Sequence, residues 1–123
     1  MMTIRDCIAP DRNPKVPSIK LPEGSIDTHV HIFESQYPLF EGRGYNPPDS
    51  TLDDLKHLHS QLGVSRVVYT QPSPYGVDNS AILKGMKVMN DETPDRARGV
   101  CAIKMDVSDN FLEDLDLSLI HIS

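Results

Sequence analysis

The chain of 123 residues lacks features that several large classes of protein require. Its longest apolar runs are only a few residues, so no segment is long enough to cross a lipid bilayer. Its 12 lysines and arginines are outnumbered by 18 aspartates and glutamates, and no basic stripe offsets the formal charge of −6, so we expect no binding to nucleic acid. Two cysteines far apart, with no CxxC motif, fit a reducing compartment, and we expect a cytoplasmic protein.

Residues 1–24 show no periodicity and contain four prolines. Because proline fixes its own φ and cannot continue a helix, we expect these residues to form an extended arm on the surface. The arm has no apolar stretch of the kind that secretory signals carry.

Beyond the arm, residues 25–116 alternate between strand and helix patterns. Alternating or continuous short apolar runs predict strands at about 25–33, 64–71 and 97–104. Helical spacing predicts helices that start at Ser50, with Asp53 in a capping box, at Asp78 or Asn79, and at Ser108. The order βαβαβ(α) is typical of a parallel sheet with right-handed crossovers, so we predict one α/β domain.

The first predicted strand, Ile-Asp-Thr-His-Val-His-Ile-Phe at 26–33, carries polar side chains on one face. Successive strand side chains point to opposite faces, so His29 and His31 project the same way, with Asp27 in line beneath them. Two imidazoles about 7 Å apart along one strand face can converge on one metal ion or one substrate oxygen. The alternative is a hydrogen-bonded polar patch, although burying such a face is costly unless something binds there.

A second His-x-His sequence, at His57 and His59, lies in the first predicted helix. Side chains at i and i+2 of a helix do not face each other, so these two histidines cannot chelate one ion together. We expect both of them on a solvated helix face.

Three further candidates follow the carboxyl ends of the predicted strands, where parallel sheets bind ligands. Tyr45 lies in the long loop 34–49 and either contacts a substrate or only packs the loop. Ser73 lies in the turn before the second helix, where hydroxyl and backbone N–H groups can hold an anion, or it only forms the turn. Gln71 can point into the same space.

Several of these segments together resemble one family. They are residues 27–33, 43–47, 62–68, 71–73 and 75–79. Over about residues 20–114 the chain is similar to the amidohydrolase superfamily and, among its branches, to the lactonase-like one. The resemblance implies a (β/α)8 TIM barrel that hydrolyses a small carboxylated lactone or a related ester or amide.

The resemblance also implies roles for individual residues. His29 and His31 match the family's strand-one pair, which either ligates a divalent metal, with Zn²⁺ expected, or contacts the substrate directly, because some lactonase-like members work without a tightly held metal. Tyr45 and Ser73 match positions that contact the substrate's carboxylates or ring oxygens. A bound metal polarises the carbonyl and activates a water, and a carboxylate serves as general acid and base.

The chain departs from the family in its length. Three strands cannot close a barrel that needs about 250 residues, and the family's later histidines, aspartate and arginine pair have no counterpart here. We therefore expect an N-terminal portion of the barrel, truncated and inactive alone, with a foreign tail at 117–123. Two other functions stay open: a decarboxylase of the same superfamily, or a small non-catalytic α/β module that binds an anion or a partner.

Overall fold

The computed structural model describes residues 3–117 and 120–122. Its strands are β1 (Arg5–Asp6), β2 (Ile26–Val30), β3 (Tyr45–Asn46), β4 (Arg66–Thr70), β5 (Ala97–Cys101) and β6 (Ile120–Ile122). Its helices are α1 (Leu52–Leu62), α2 (Ser80–Glu92) and α3 (Asp109–Leu117), and one 3₁₀ turn covers Ser73–Tyr75. The three predicted strands are present, and each is shorter than its apolar pattern suggested.

Four parallel strands form the larger sheet, in the order β2-β4-β5-β6. In the chain, α1 lies between β2 and β4, α2 between β4 and β5, and α3 between β5 and β6. This arrangement confirms the predicted α/β class with a parallel sheet. Within the predicted tail, residues 118, 119 and 123 lie outside the described part of the chain, whereas the backbone of β6 pairs with β5.

One face of the larger sheet is covered by the helices. Alternate residues of β4 and β5, such as Val67, Tyr69 and Cys101, are buried in one core with side chains from each helix. The helices contribute Leu52 and Leu55 from α1, Ile82, Met86 and Met89 from α2, and Leu115 from α3. Because all of these side chains share one core, the carboxyl ends of β2 and β4 are held together at one edge.

The predicted capping box placed the N-cap of helix α1 at Ser50, and the N-cap lies one residue later than that. Thr51 is the N-cap: its hydroxyl accepts a hydrogen bond from the Asp54 N–H at 3.2 Å, and the Asp54 carboxylate accepts one from the Thr51 N–H at 3.0 Å. The backbone of Ser50 instead bonds to Phe33 in both directions at 2.8 Å. The helix ends at Gly63, whose φ of 81° is the left-handed conformation that glycine adopts readily.

The arm lies along the loop that follows β2. Its strand β1 pairs in parallel with β3, and the Cys7 N–H donates to the Asn46 carbonyl at 3.0 Å. Further along, Arg12 donates to the Asp49 carbonyl at 2.8 Å and lies 3.5 Å from the Asp54 carboxylate. The arm therefore contacts the segment that leads into the candidate site.

Candidate functional site

The two strand-one histidines lie side by side at the carboxyl end of β2. The ring centroids of His29 and His31 are 5.0 Å apart and their planes meet at 83°. His31 Nδ1 lies 2.8 Å from the carbonyl oxygen of Thr70, the last residue of β4. A carbonyl oxygen only accepts, so Nδ1 is the donor, and in the neutral imidazole Nε2 then carries the lone pair. The bond thus joins two strand ends and leaves Nε2 of His31 without a backbone partner in this contact.

Asp27 does not lie beneath the histidines, so that prediction is wrong. Asp27 is in register with Val67 and Val30 with Tyr69, which sets three steps along β2 against two along β4. Such a β-bulge inserts an extra residue and changes which face the following side chains occupy. Asp27 therefore shares the helix-covered face with Val67, whereas strict alternation would have placed it with His29.

His59 also differs from expectation, because it is not on a solvated helix face. Only 1% of its surface is exposed, and its Nε2 lies 3.0 Å from Oδ2 of Asp27. His57 is exposed, as predicted, and its Nε2 is 3.1 Å from the side-chain amide of Gln61. The two histidines of this helix therefore have separate environments, and the buried one contacts the strand that carries the candidate pair.

Aromatic rings continue from the histidine pair into the loop after β2. The Phe33 centroid lies 6.3 Å from that of His31, 6.5 Å from Tyr45 and 5.5 Å from Tyr75, and Tyr75 lies 6.1 Å from Tyr37. Phe33, Tyr37 and Tyr75 line a cleft of about 220 Å³, together with Glu34, Ser35, Leu39, Pro47 and Asp49. An apolar wall with a few polar groups is typical of a small-molecule site.

Tyr45 and Ser73 come together beside this aromatic group. Burial raises the pKa of the Tyr45 phenol, the neighbouring Cys7 raises it further, and a hydrogen bond with the Ser73 side chain partly opposes them. The phenol therefore stays protonated at neutral pH and can donate to an oxygen of a ligand. Ser73 itself is exposed at the start of the 3₁₀ turn.

Gln71 is held by the turn that follows β4. Its side-chain amide donates to the carbonyl oxygens of Gly76 at 3.0 Å and Asp78 at 2.7 Å. Its Oε1 is buried and accepts no hydrogen bond from the described residues. Contact between Gln71 and a substrate stays a prediction, and only that oxygen is left to make it.

Phe33 and Tyr75 contribute to the site without having been predicted there. Phe33 continues the i, i+2 spacing of His29 and His31, so the strand pattern itself contained a signal for it. Tyr75 is 3% exposed, accepts a hydrogen bond from the Glu34 N–H at 3.1 Å and donates to the Glu34 carbonyl at 3.4 Å. No local pattern in Pro-Tyr-Gly indicates that long-range contact.

Two imidazoles are suitable ligands for a divalent metal such as Zn²⁺. A metal-bound histidine usually donates its other ring N–H to a carbonyl or carboxylate, and His31 makes such a contact with the Thr70 carbonyl. A structural or catalytic zinc site uses at least three protein ligands. Residues 3–117 contain no group of three His, Cys, Asp or Glu side chains that could hold an ion. The described residues thus fit part of a metal site and not a complete one.

A family model described as Amidohydrolase matches residues 26–117, so the chain belongs to the amidohydrolase family. Over 105 residues it is 35% identical to 2-pyrone-4,6-dicarboxylate hydrolase from Comamonas testosteroni. The aligned region covers 84% of this chain and 33% of that protein. Over 86 residues it is 36% identical to 4-sulfomuconolactone hydrolase from Rhizobium radiobacter, and the aligned region covers 68% of this chain and 29% of that protein.

A solved structure resembles the fold as well. It is the crystal structure of a probable 2-pyrone-4,6-dicarboxylic acid hydrolase from Acinetobacter baumannii with citric acid bound, at a TM-score of 0.70 and 28% identity. The match covers 79% of this chain and 35% of that one. The chain thus spans about a third of the length of the curated relatives it matches. None of the helices in the described part is long and apolar enough to cross a membrane.

Proposed function

We propose that the chain provides the strand-one side of the active site of a hydrolase that acts on a small carboxylated lactone. The observation that carries the proposal is the grouping of His29, His31, Tyr45 and Ser73 at the carboxyl edge of a parallel sheet. The two relatives named as lactone hydrolases, at 35% and 36% identity, support the same reaction class.

In this proposal the histidine pair faces the ester group of the lactone. The lone pair on His31 Nε2 accepts a hydrogen bond from the attacking water and orients it, because the Thr70 carbonyl holds the proton on the other nitrogen. The His29 ring, edge-on to His31, borders the same space. When the substrate binds, the hydrogen bond between Tyr45 and Ser73 gives way, and each hydroxyl donates its one proton to the carboxylate of the substrate. These bonds fix the lactone ring relative to the imidazoles.

We include a divalent metal, Zn²⁺ in the first instance, as the cofactor to test. When bound, such an ion polarises the carbonyl and lowers the pKa of a coordinated water. His29 and His31 are the two residues of this chain that would hold it, with at least one further ligand; His31 Nε2 would then bind the metal in place of its hydrogen bond with the water. We also place the enzyme in the cytoplasm, since its two cysteines lie far apart in the sequence and form no CxxC motif.

Activity is tested with the protein expressed from its complete gene. The assay follows opening of 2-pyrone-4,6-dicarboxylate and of 4-sulfomuconolactone, the substrates named in the two relatives, with identification of the product by mass. Addition of one water supports hydrolysis, whereas loss of CO₂ supports the decarboxylase alternative.

Substitutions connect the activity to the site. His31→Asn is expected to lower kcat/KM by about 100-fold or more, the usual contribution of a positioned acid–base group. His57→Asn, in an exposed histidine of α1, is the matched control and should retain the wild-type rate. Hydrolysis of neither lactone, or equal rates in both variants, would contradict the proposal.

A further inference from the structure

Helix α1 has one buried residue, and that residue is a histidine. His59 occupies a position that would suit leucine, since Leu52, Leu55, His59 and Leu62 follow helical spacing. A buried polar side chain is costly unless it is hydrogen-bonded. The imidazole bonds to the Asp27 carboxylate at 3.0 Å, so this contact offsets the cost of placing a polar ring in the core.

The Asp27 carboxylate connects this helix to the backbone of the candidate pair. Its Oδ2 bonds to His59, while its Oδ1 accepts from the backbone N–H of His29 at 3.4 Å. His29 lies inside the bulge, where the pairing between β2 and β4 is interrupted. The carboxylate therefore satisfies a backbone N–H that the bulge takes out of the regular ladder.

The bulge also determines where the two imidazoles point. Val30 and Ile32 are buried against the helices, which leaves His29 and His31 for the other face. Asp27 turns towards α1 on the same side as Val30 only because of the extra residue between them. Holding Asp27 therefore holds the bulge, and the bulge sets the backbone from which His29 projects.

We propose that His59 is a positioning residue that fixes the His29–His31 pair through the Asp27 carboxylate. The link to catalysis rests on the proposed function, because that function gives the pair its role at the substrate. The geometric claim concerns this chain alone and is tested without any substrate, so its failure is distinguishable from failure of the hydrolase proposal.

The test compares three variants of the 123-residue chain by NMR. His59→Leu fills the core position but cannot bond to Asp27, and His59→Gln retains a side-chain N–H donor. His57→Gln is the matched control two residues away on the same helix. The measurements are amide hydrogen exchange at His29 and the ring-to-ring NOE between His29 and His31, with the core residues Ile82 and Met89 as the reference for intact folding.

In His59→Leu we expect exchange at His29 to rise about tenfold, the equivalent of one lost hydrogen bond, and the ring NOE to weaken, with core exchange unchanged. His59→Gln should restore both signals towards the wild type. If His59→Leu does not fold, Asp27→Asn serves instead and is expected to raise His29 exchange in the same way. The proposal would be overturned if a folded variant without the bond between His59 and Asp27 kept the wild-type exchange at His29 and the wild-type NOE intensity. His59 would then be a packing residue.

Discussion

Replacing Tyr75 by phenylalanine tests what holds the aromatic cleft beside the histidine pair. The Tyr75 side chain is 3% exposed, and its hydroxyl bonds to both the N–H and the carbonyl of Glu34, the first residue after Phe33. Burial raises the pKa of Tyr75, so the phenol keeps its proton and can act as donor and acceptor at once. Phenylalanine keeps the ring contacts with Phe33 and Tyr37 and removes only these bonds.

The expected cost follows from the groups left behind. A lost intramolecular hydrogen bond costs about 0.5–1.5 kcal/mol, and a buried donor left unpaired costs about 1–3 kcal/mol. Glu34 is half-buried, so water can replace part of what is lost. We therefore expect the free energy of unfolding to fall by about 1–2 kcal/mol, with little cavity cost because the ring remains.

The free energy is measured by urea unfolding of the chain, followed by circular dichroism, with hydrogen exchange at the Glu34 amide as the local measurement. Tyr37→Phe is the matched control, since the Tyr37 hydroxyl makes no hydrogen bond to the described residues. A free energy of unfolding for Tyr75→Phe within about 0.3 kcal/mol of that for Tyr37→Phe would refute the reasoning. Unchanged exchange at Glu34 would do the same.

Two further substitutions test side chains that bond to the backbone. Asn79→Ala removes both bonds between the Asn79 side chain and the backbone of Ala102, at 2.9 and 3.0 Å, so thermal unfolding should show a free energy of unfolding lower by about 1–3 kcal/mol. Ser80→Ala, at the next position, which is exposed, is the comparison. An equal loss of stability in Ser80→Ala would contradict the role given to the Asn79 bonds. Hydrogen bonds from Thr51 lower the pKa of Asp54 in the folded chain below its ordinary value of 3.8. The Asp54 carboxylate therefore stabilises the fold at pH values above 3.8, and this stabilisation is lost as the pH falls through the lower pKa of the folded state. Asp54→Asn should flatten the fall in unfolding temperature in this acid range, whereas Asp53→Asn in the same turn should not; identical pH profiles for the wild type and Asp54→Asn would disprove the effect.

The order of the elements could be predicted because burial imposes a period on the sequence. The Leu52–Leu62 stripe and the glycine at its end specify α1 locally, and Gly63 does adopt the left-handed cap. The start of that helix could not be placed to the residue, since Ser50 with Asp53 and Thr51 with Asp54 form two overlapping capping patterns. A long-range contact decides between them, because the backbone of Ser50 pairs with Phe33.

The positions of Asp27 and His59 could not be predicted from local pattern. Alternation along β2 assumes an unbroken ladder, and a bulge is visible only once β4 supplies the register. On α1, Leu58 and His59 fit a helical stripe equally well, and packing leaves Leu58 36% exposed while burying His59. Both errors have one cause, which is that the carboxylate and the imidazole stabilise each other across two elements far apart in sequence.

At the carboxyl edge of the sheet, side chains are held largely by backbone groups. His31 bonds to the Thr70 carbonyl, Tyr75 to Glu34, and Asn79 to Ala102. Because a backbone carbonyl is present whatever the side chain, the bond to Thr70 can hold the His31 ring while neighbouring loop residues change. The cleft, in contrast, is lined by loop side chains such as Tyr37 and Leu39. Under the proposed function, the His31 ring that faces the ester is therefore held independently of the cleft side chains that select the lactone. Changes in those side chains can then fit the site to ring substrates of different shape without moving this ring.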